Sequence, residues 1–98
     1  MKYRIDYSKR ATVNLENIVL YIAQDNPSKA IEFFEEITAR ITMLSEFPYI
    51  GNFPPEDNLR YKGKRLLVFG NYKIYYAVDE HGKRIKIATV RHGARKPL

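Results

Sequence analysis

RYKGKRLLVFGNYKIYYAVDEHGKRIKIATVRHGAR (60–95) is the stretch that decides the fold. Two turn signals, Gly70-Asn71 and Asp79-Glu80-His81-Gly82, cut it into three strand-like runs, 60–69, 70–78 and 82–95. Strands joined by such short turns form an antiparallel meander. Side chains alternate along a strand. In the middle run this sends Tyr72, Ile74, Tyr76 and Val78 one way and Lys73, Tyr75 and Ala77 the other. In the last run Ile85 and Ile87 read as core and Lys86 as outward. Cations gather at the strand starts and ends. The expectation is a positive surface fed by Arg60, Lys62, Lys64, Arg65, Lys73, Arg91 and Arg95.

Upstream lies the scaffold. PSKAIEFFEEITARITMLSE (27–46) places Ala30, Phe33, Phe34, Ile37, Ile41 and Leu44 on one helical face, with Glu32, Glu35, Glu36 and Arg40 away from it. Ahead of it, Ala11, Leu15, Ile18, Val19 and Ile22 form the stripe of an earlier helix that Ser8 can cap. Asp25-Asn26-Pro27 stops that helix and starts the next, with Asn26 as cap and Pro27 in the first turn. So short a link folds the two into a hairpin. KYRIDY (2–7) alternates Tyr3, Ile5 and Tyr7 with charged residues, the pattern of a half-buried strand. Residues 48–63 form a long connection that Tyr49, Ile50 and Phe53 are expected to anchor on the core. The order β-α-α-β-β-β predicts an α+β layer: a helical hairpin on one face of a mostly antiparallel four-stranded sheet, leaving the other face open.

The 98 residues suit one domain, 1–98. Without cysteine there are no disulfides or thiolate metal sites, which fits a reducing cytoplasm. No apolar run reaches the ~18 residues of a membrane span, and the N-terminus has no signal-peptide core. Charge is unevenly placed. Residues 1–50 hold six Lys/Arg and seven Asp/Glu, whereas residues 51–98 hold eleven and four, a net of +7. That half points to nucleic acid, a ribosome or an acidic protein, although lysines that merely solvate a sheet give the same count.

No metal, cofactor or phosphate-loop motif is present, and His81 and His92 lie far from clustered carboxylates. Tyr72, Tyr75 and Tyr76 beside Lys73 suit bases that stack and phosphates that pair, yet the same tyrosines suit a core. Metal-free RNA cleavage needs a base, an acid and cations for the phosphorane. His92 titrates in the range for proton transfer, and His81 reads as solvated turn.

Four segments, LENIVLYIAQDNPSKA (15–30), ITMLSEFPYIG (41–51), GNYKIYYAV (70–78) and IKIATVRHGAR (85–95), resemble the RelE/ParE superfamily of bacterial toxin–antitoxin toxins. The long hairpin and the FPYIG and RHGAR segments are closer to ParE. The resemblance implies one of two activities. ParE-like members inhibit DNA gyrase without known catalytic residues; RelE-like members cut mRNA on the ribosome. For the nuclease branch it implies Lys64, Lys73 and Arg95 as the catalytic cations, with His92 or Tyr75 in place of a later tyrosine that is absent here. Arg60, Lys62, Arg65, Tyr75 and Arg91 are then expected binding residues. The family also implies a cognate antitoxin whose acidic segment folds onto the toxin.

Overall fold

The computed structural model describes residues 2–54 and 63–93. Strand β1 (Arg4–Tyr7) leads into helices α1 (Lys9–Asp25) and α2 (Pro27–Thr42), followed by a short 3-10 turn at Met43–Ser45. Strands β2 (Arg65–Phe69), β3 (Tyr72–Asp79) and β4 (Arg84–His92) complete the order. They make one sheet, ordered β1-β4-β3-β2. β2, β3 and β4 are antiparallel neighbours, and β1 joins β4 in parallel.

A single residue joins the helices. Asn26 donates its backbone N–H to Ile22 O, closing α1, and its side chain accepts from Lys29 N at 3.1 Å, opening α2. Pro27 follows at the first helical position, where no N–H is needed. Ser8 caps α1 by accepting from Ala11 N at 3.0 Å. α2 ends at Thr42 rather than at 46, because the chain tightens into the 3-10 turn, which still buries Leu44.

The hairpin lays Ala11, Leu15, Ile37, Ile41 and Leu44 on Leu67, Ile74, Tyr76, Ile85, Ile87 and Val90 of the sheet. Burying each of the larger aliphatic side chains contributes about 1.5–3 kcal/mol. Ile37 and Ile41 are fully buried, so truncating either to Ala removes about 2–5 kcal/mol. Phe34, expected on this face, is instead exposed.

One irregularity governs what faces outward. Tyr75 pairs with Thr89, but Tyr76 pairs with Ile87, so Ala88 is an extra residue in β4. Such a bulge shifts side-chain parity by one. Before it, Ile85 and Ile87 face the helices; after it, Val90 does. The bulge lies where β1 stops, and α1 completes the strand's free edge. Ser8 Oγ donates to Ala88 O at 2.8 Å, and Asn14 Oδ1 accepts from Val90 N at 3.1 Å and from Thr89 Oγ1 at 2.7 Å.

The connection after Ser45 is held from above the sheet rather than by its own apolar side chains. Tyr49, Ile50 and Phe53 were expected to anchor it and are exposed. The buried anchors are Pro48 and Gly51: Tyr76 OH donates to Pro48 O at 2.8 Å and accepts from Gly51 N at 3.0 Å. A Cβ on Gly51 would stand 2.6 Å from that hydroxyl and 2.8 Å from Leu66 O. Only glycine fits.

Candidate interaction face

The sheet face opposite the helices carries the candidate site, and the sequence-derived candidates divide across the sheet. Lys73 and Arg91 are cross-strand partners. In an antiparallel pair that places their Cα atoms about 5 Å apart with both side chains on one face. Lys73 is on the non-core side of β3 by alternation, and the Ala88 bulge turns Arg91 to the same side. The stem of Lys73 runs beside Gly93, whose missing side chain leaves it room: a Cβ there would lie 3.6 Å from Lys73 Cε and 3.2 Å from Asn71 O. Gly93 N donates to that same Asn71 O, extending the ladder past His92.

The same bulge removes His92 from this face. Its ring stands edge-on to Tyr72 at 5.1 Å between centroids, and Tyr72 packs on Phe33 of α2 at 5.0 Å. His92 therefore sits on the helix side of the sheet, away from the Lys73–Arg91 row. Tyr75 lies on the open face but is fully buried there, grouped with Leu66, so it offers no exposed ring to a base.

Arg65 also leaves the expected surface. It points under the connection, donating from NH1 to Gly51 O at 2.9 Å, with its guanidinium 4.9 Å from the Tyr49 ring and 4.7 Å from the Phe53 ring. It is a brace, on the side of β2 that pairs with Tyr76. Lys64 is half-buried just before β2. Arg60, Lys62 and Arg95 lie outside the described residues.

Cations that the charge count alone did not single out occupy the other end of the open face. Arg4, Arg84 and Lys86 share it with Asp6, which pairs with Arg4 Nε at 3.2 Å and Arg84 NH1 at 3.7 Å. Asp79 lies opposite Arg84, its carboxyl held below the usual range by the Gly82 N–H and by nearby cations. That end is a lattice of mutually compensated charge. The Lys73–Arg91 end is cationic. The strand-pair alternation could have found Arg84 and Lys86; Gly93 and Asn14 gave no signal of their roles.

A second polar cluster ties the connection to the sheet. Glu80 accepts hydrogen bonds from both Tyr3 OH and Tyr49 OH, and Lys83 Nζ stands 3.8 Å from its other oxygen. These bonds hold the Glu80 carboxyl below its usual range and push the Tyr49 hydroxyl up to about 12. Among the described residues no group of three or more His, Cys, Asp or Glu could hold a metal ion, and no helix is long and apolar enough to cross a membrane.

A family model described as "ParE toxin of type II toxin-antitoxin system, parDE" matches residues 5–97. A chain of the chromosomal ParDE toxin–antitoxin system from P. aeruginosa superposes with a TM-score of 0.74 at 20% identity, covering 93% of this chain and 96% of that one. A chain of the toxin–antitoxin complex RelBE2 from Mycobacterium tuberculosis superposes with a TM-score of 0.63 at 18% identity, covering 94% and 99%. No curated protein matches the sequence.

Proposed function

The chain belongs to the ParE toxin family of type II toxin–antitoxin systems, and from that premise we propose that it arrests growth by inhibiting DNA gyrase. In this reading it acts in the cytoplasm as a single domain, without cofactor, until a cognate antitoxin silences it.

The observation that carries binding over RNA cleavage is the Ala88 bulge. It leaves Lys73 and Arg91 side by side and turns His92 to the other side of the sheet. Cations alone can dock an anionic surface. Cleavage of RNA also needs a base and an acid beside the scissile phosphate. Tyr75, the other candidate for that role, is fully buried. Lys73 and Arg91 are thus assigned to target binding, with Lys64 and Arg95 in the same role by family resemblance and Arg60 and Lys62 as further contacts.

The antitoxin reading rests on complementarity. The +7 of residues 51–98 favours an acidic segment. The outer side of the hairpin offers it a groove of about 630 Å³ lined by Tyr7, Leu15, Val19 and Phe34, which gives the exposed Phe34 a use.

Inducing the chain in cells while following supercoiling, the SOS response and mRNA integrity tests the reading. It predicts DNA damage signalling with intact messages. Codon-positioned cuts in ribosome-bound mRNA would instead make the chain a RelE-type nuclease, and unimpaired growth would leave it a partner-binding domain only.

A further inference from the structure

The cationic row accounts for one surface, but the molecule displays a second of opposite chemistry. Met43, Phe47, Tyr49, Ile50 and Phe53 all expose large apolar side chains within eleven residues of chain, up to 71% of the side-chain-bearing residue for Phe53. At roughly 100 Å² each, they present about 500 Å², near the largest apolar patch of an ordinary monomer and close to the apolar centre of a protein interface.

The patch is built. Arg65 lies under the Tyr49 and Phe53 rings, Tyr76 OH holds Pro48 and Gly51, Glu80 holds Tyr49, and Asn52 bridges to Leu66 through two backbone bonds. A surface fixed in this way loses little conformational entropy on binding. Its charges are also satisfied internally. The Arg65 guanidinium serves Gly51 O and two rings, Lys2 pairs with Glu46 at 3.5 Å, and Lys83 with Glu80 at 3.8 Å. No described cation at the patch is left to attract a phosphate or an acidic segment, so neither nucleic acid nor an acidic antitoxin tail is its natural occupant.

We propose that residues 43–53 form a docking patch for an apolar, uncharged surface of the toxin's protein target, separate from antitoxin capture. The assignment of that target as gyrase rests on the reading above; the existence of the patch does not. Phe47 and Ile50 sit at its exposed part, and Phe53 at its edge over Arg65.

The test compares Phe47→Ser/Ile50→Ser and, separately, Phe53→Ser with the wild-type chain. Growth arrest on induction, affinity for the acidic protein encoded beside the chain, solution mass, and inhibition of purified gyrase on relaxed plasmid are measured. Thermal melting selects variants that remain folded. The expected result is about a tenfold or greater loss of potency in growth arrest, with antitoxin affinity within about threefold of wild type. Unchanged potency in both variants overturns the patch. Equal loss of antitoxin binding assigns it to the antitoxin, and a wild-type dimer that the variants dissociate assigns it to a second copy; either overturns the proposal. A wild-type chain that arrests growth yet leaves gyrase untouched refutes the gyrase reading alone. One that does neither overturns both.

Discussion

Lys73 and Arg91 stand opposite each other across β3 and β4 because β4 carries one residue, Ala88, that β3 does not match. Without the bulge, alternation from Ile87 would send Arg91 to the helix side and His92 to the open face. Like charges directly opposite on neighbouring strands are unfavourable in themselves. An anionic surface laid over the row relieves that repulsion.

Replacing both cations should separate function from folding. Lys73→Ala and Arg91→Ala are each expected to weaken growth arrest while changing unfolding free energy by at most about 1 kcal/mol, as surface substitutions do. Denaturant melts beside induction assays check this. Loss of folding would make the pair structural.

Asn14 is expected to act at a distance. It holds the bulge from α1, so Asn14→Ala leaves Val90 N–H and Thr89 Oγ1 without their acceptor, at a cost of about 1–3 kcal/mol. Chemical shifts of Thr89, Val90 and Arg91 should move in the same variant. Unmoved shifts would mean that the bulge does not depend on α1.

His92→Phe should keep toxicity. The substitution preserves the edge-on packing against Tyr72 and removes every titrating group at the position. A nuclease that used His92 would lose its activity, and growth-arrest titrations read the difference.

The connection makes its own prediction. Tyr76→Phe strands Pro48 O and Gly51 N–H, and Gly51→Ala drives a methyl into Tyr76 and Leu66 O. Each should destabilise by about 1–3 kcal/mol in denaturant titrations. Neutral effects would mean that the connection is not fastened there.

Glu80 predicts a pH dependence. Its folded-state pKa is lowered, chiefly by the Tyr3 and Tyr49 hydroxyls, so its contribution is present above the ordinary glutamate range and is lost as pH falls through the lowered folded value. Tyr49 has the opposite sign: its contribution is complete below the ordinary tyrosine range and disappears as pH rises through about 12. The melting-temperature gap between wild type and Glu80→Gln should therefore be open at neutral pH and close in acid. A gap that persists in acid would contradict the carboxylate's role.

Periodicity made the scaffold legible. The helical stripes, Asn26-Pro27 as a shared cap, the meander turns and the α+β order all appear in the structure. Local chemistry set each of them. The candidate site was legible only in part, because a strand pattern assumes constant parity and Ala88 breaks it. Arg91 and His92 both read as strand-end candidates, yet they face opposite sides. Arg65 resembled its neighbours in charge, and only the tertiary position of Tyr49 and Phe53 turns it into a brace. Tyr75 followed the alternation correctly and was nevertheless buried, since alternation gives a face and says nothing of what covers it.

The most direct test titrates purified gyrase on relaxed plasmid with the wild-type chain and with the Lys73→Ala/Arg91→Ala variant. The account predicts that wild type blocks supercoiling and that the folded variant needs about tenfold more protein to do so. Equal inhibition by both would remove the cationic row from the mechanism, and supercoiling undisturbed by the wild-type chain would contradict the account outright.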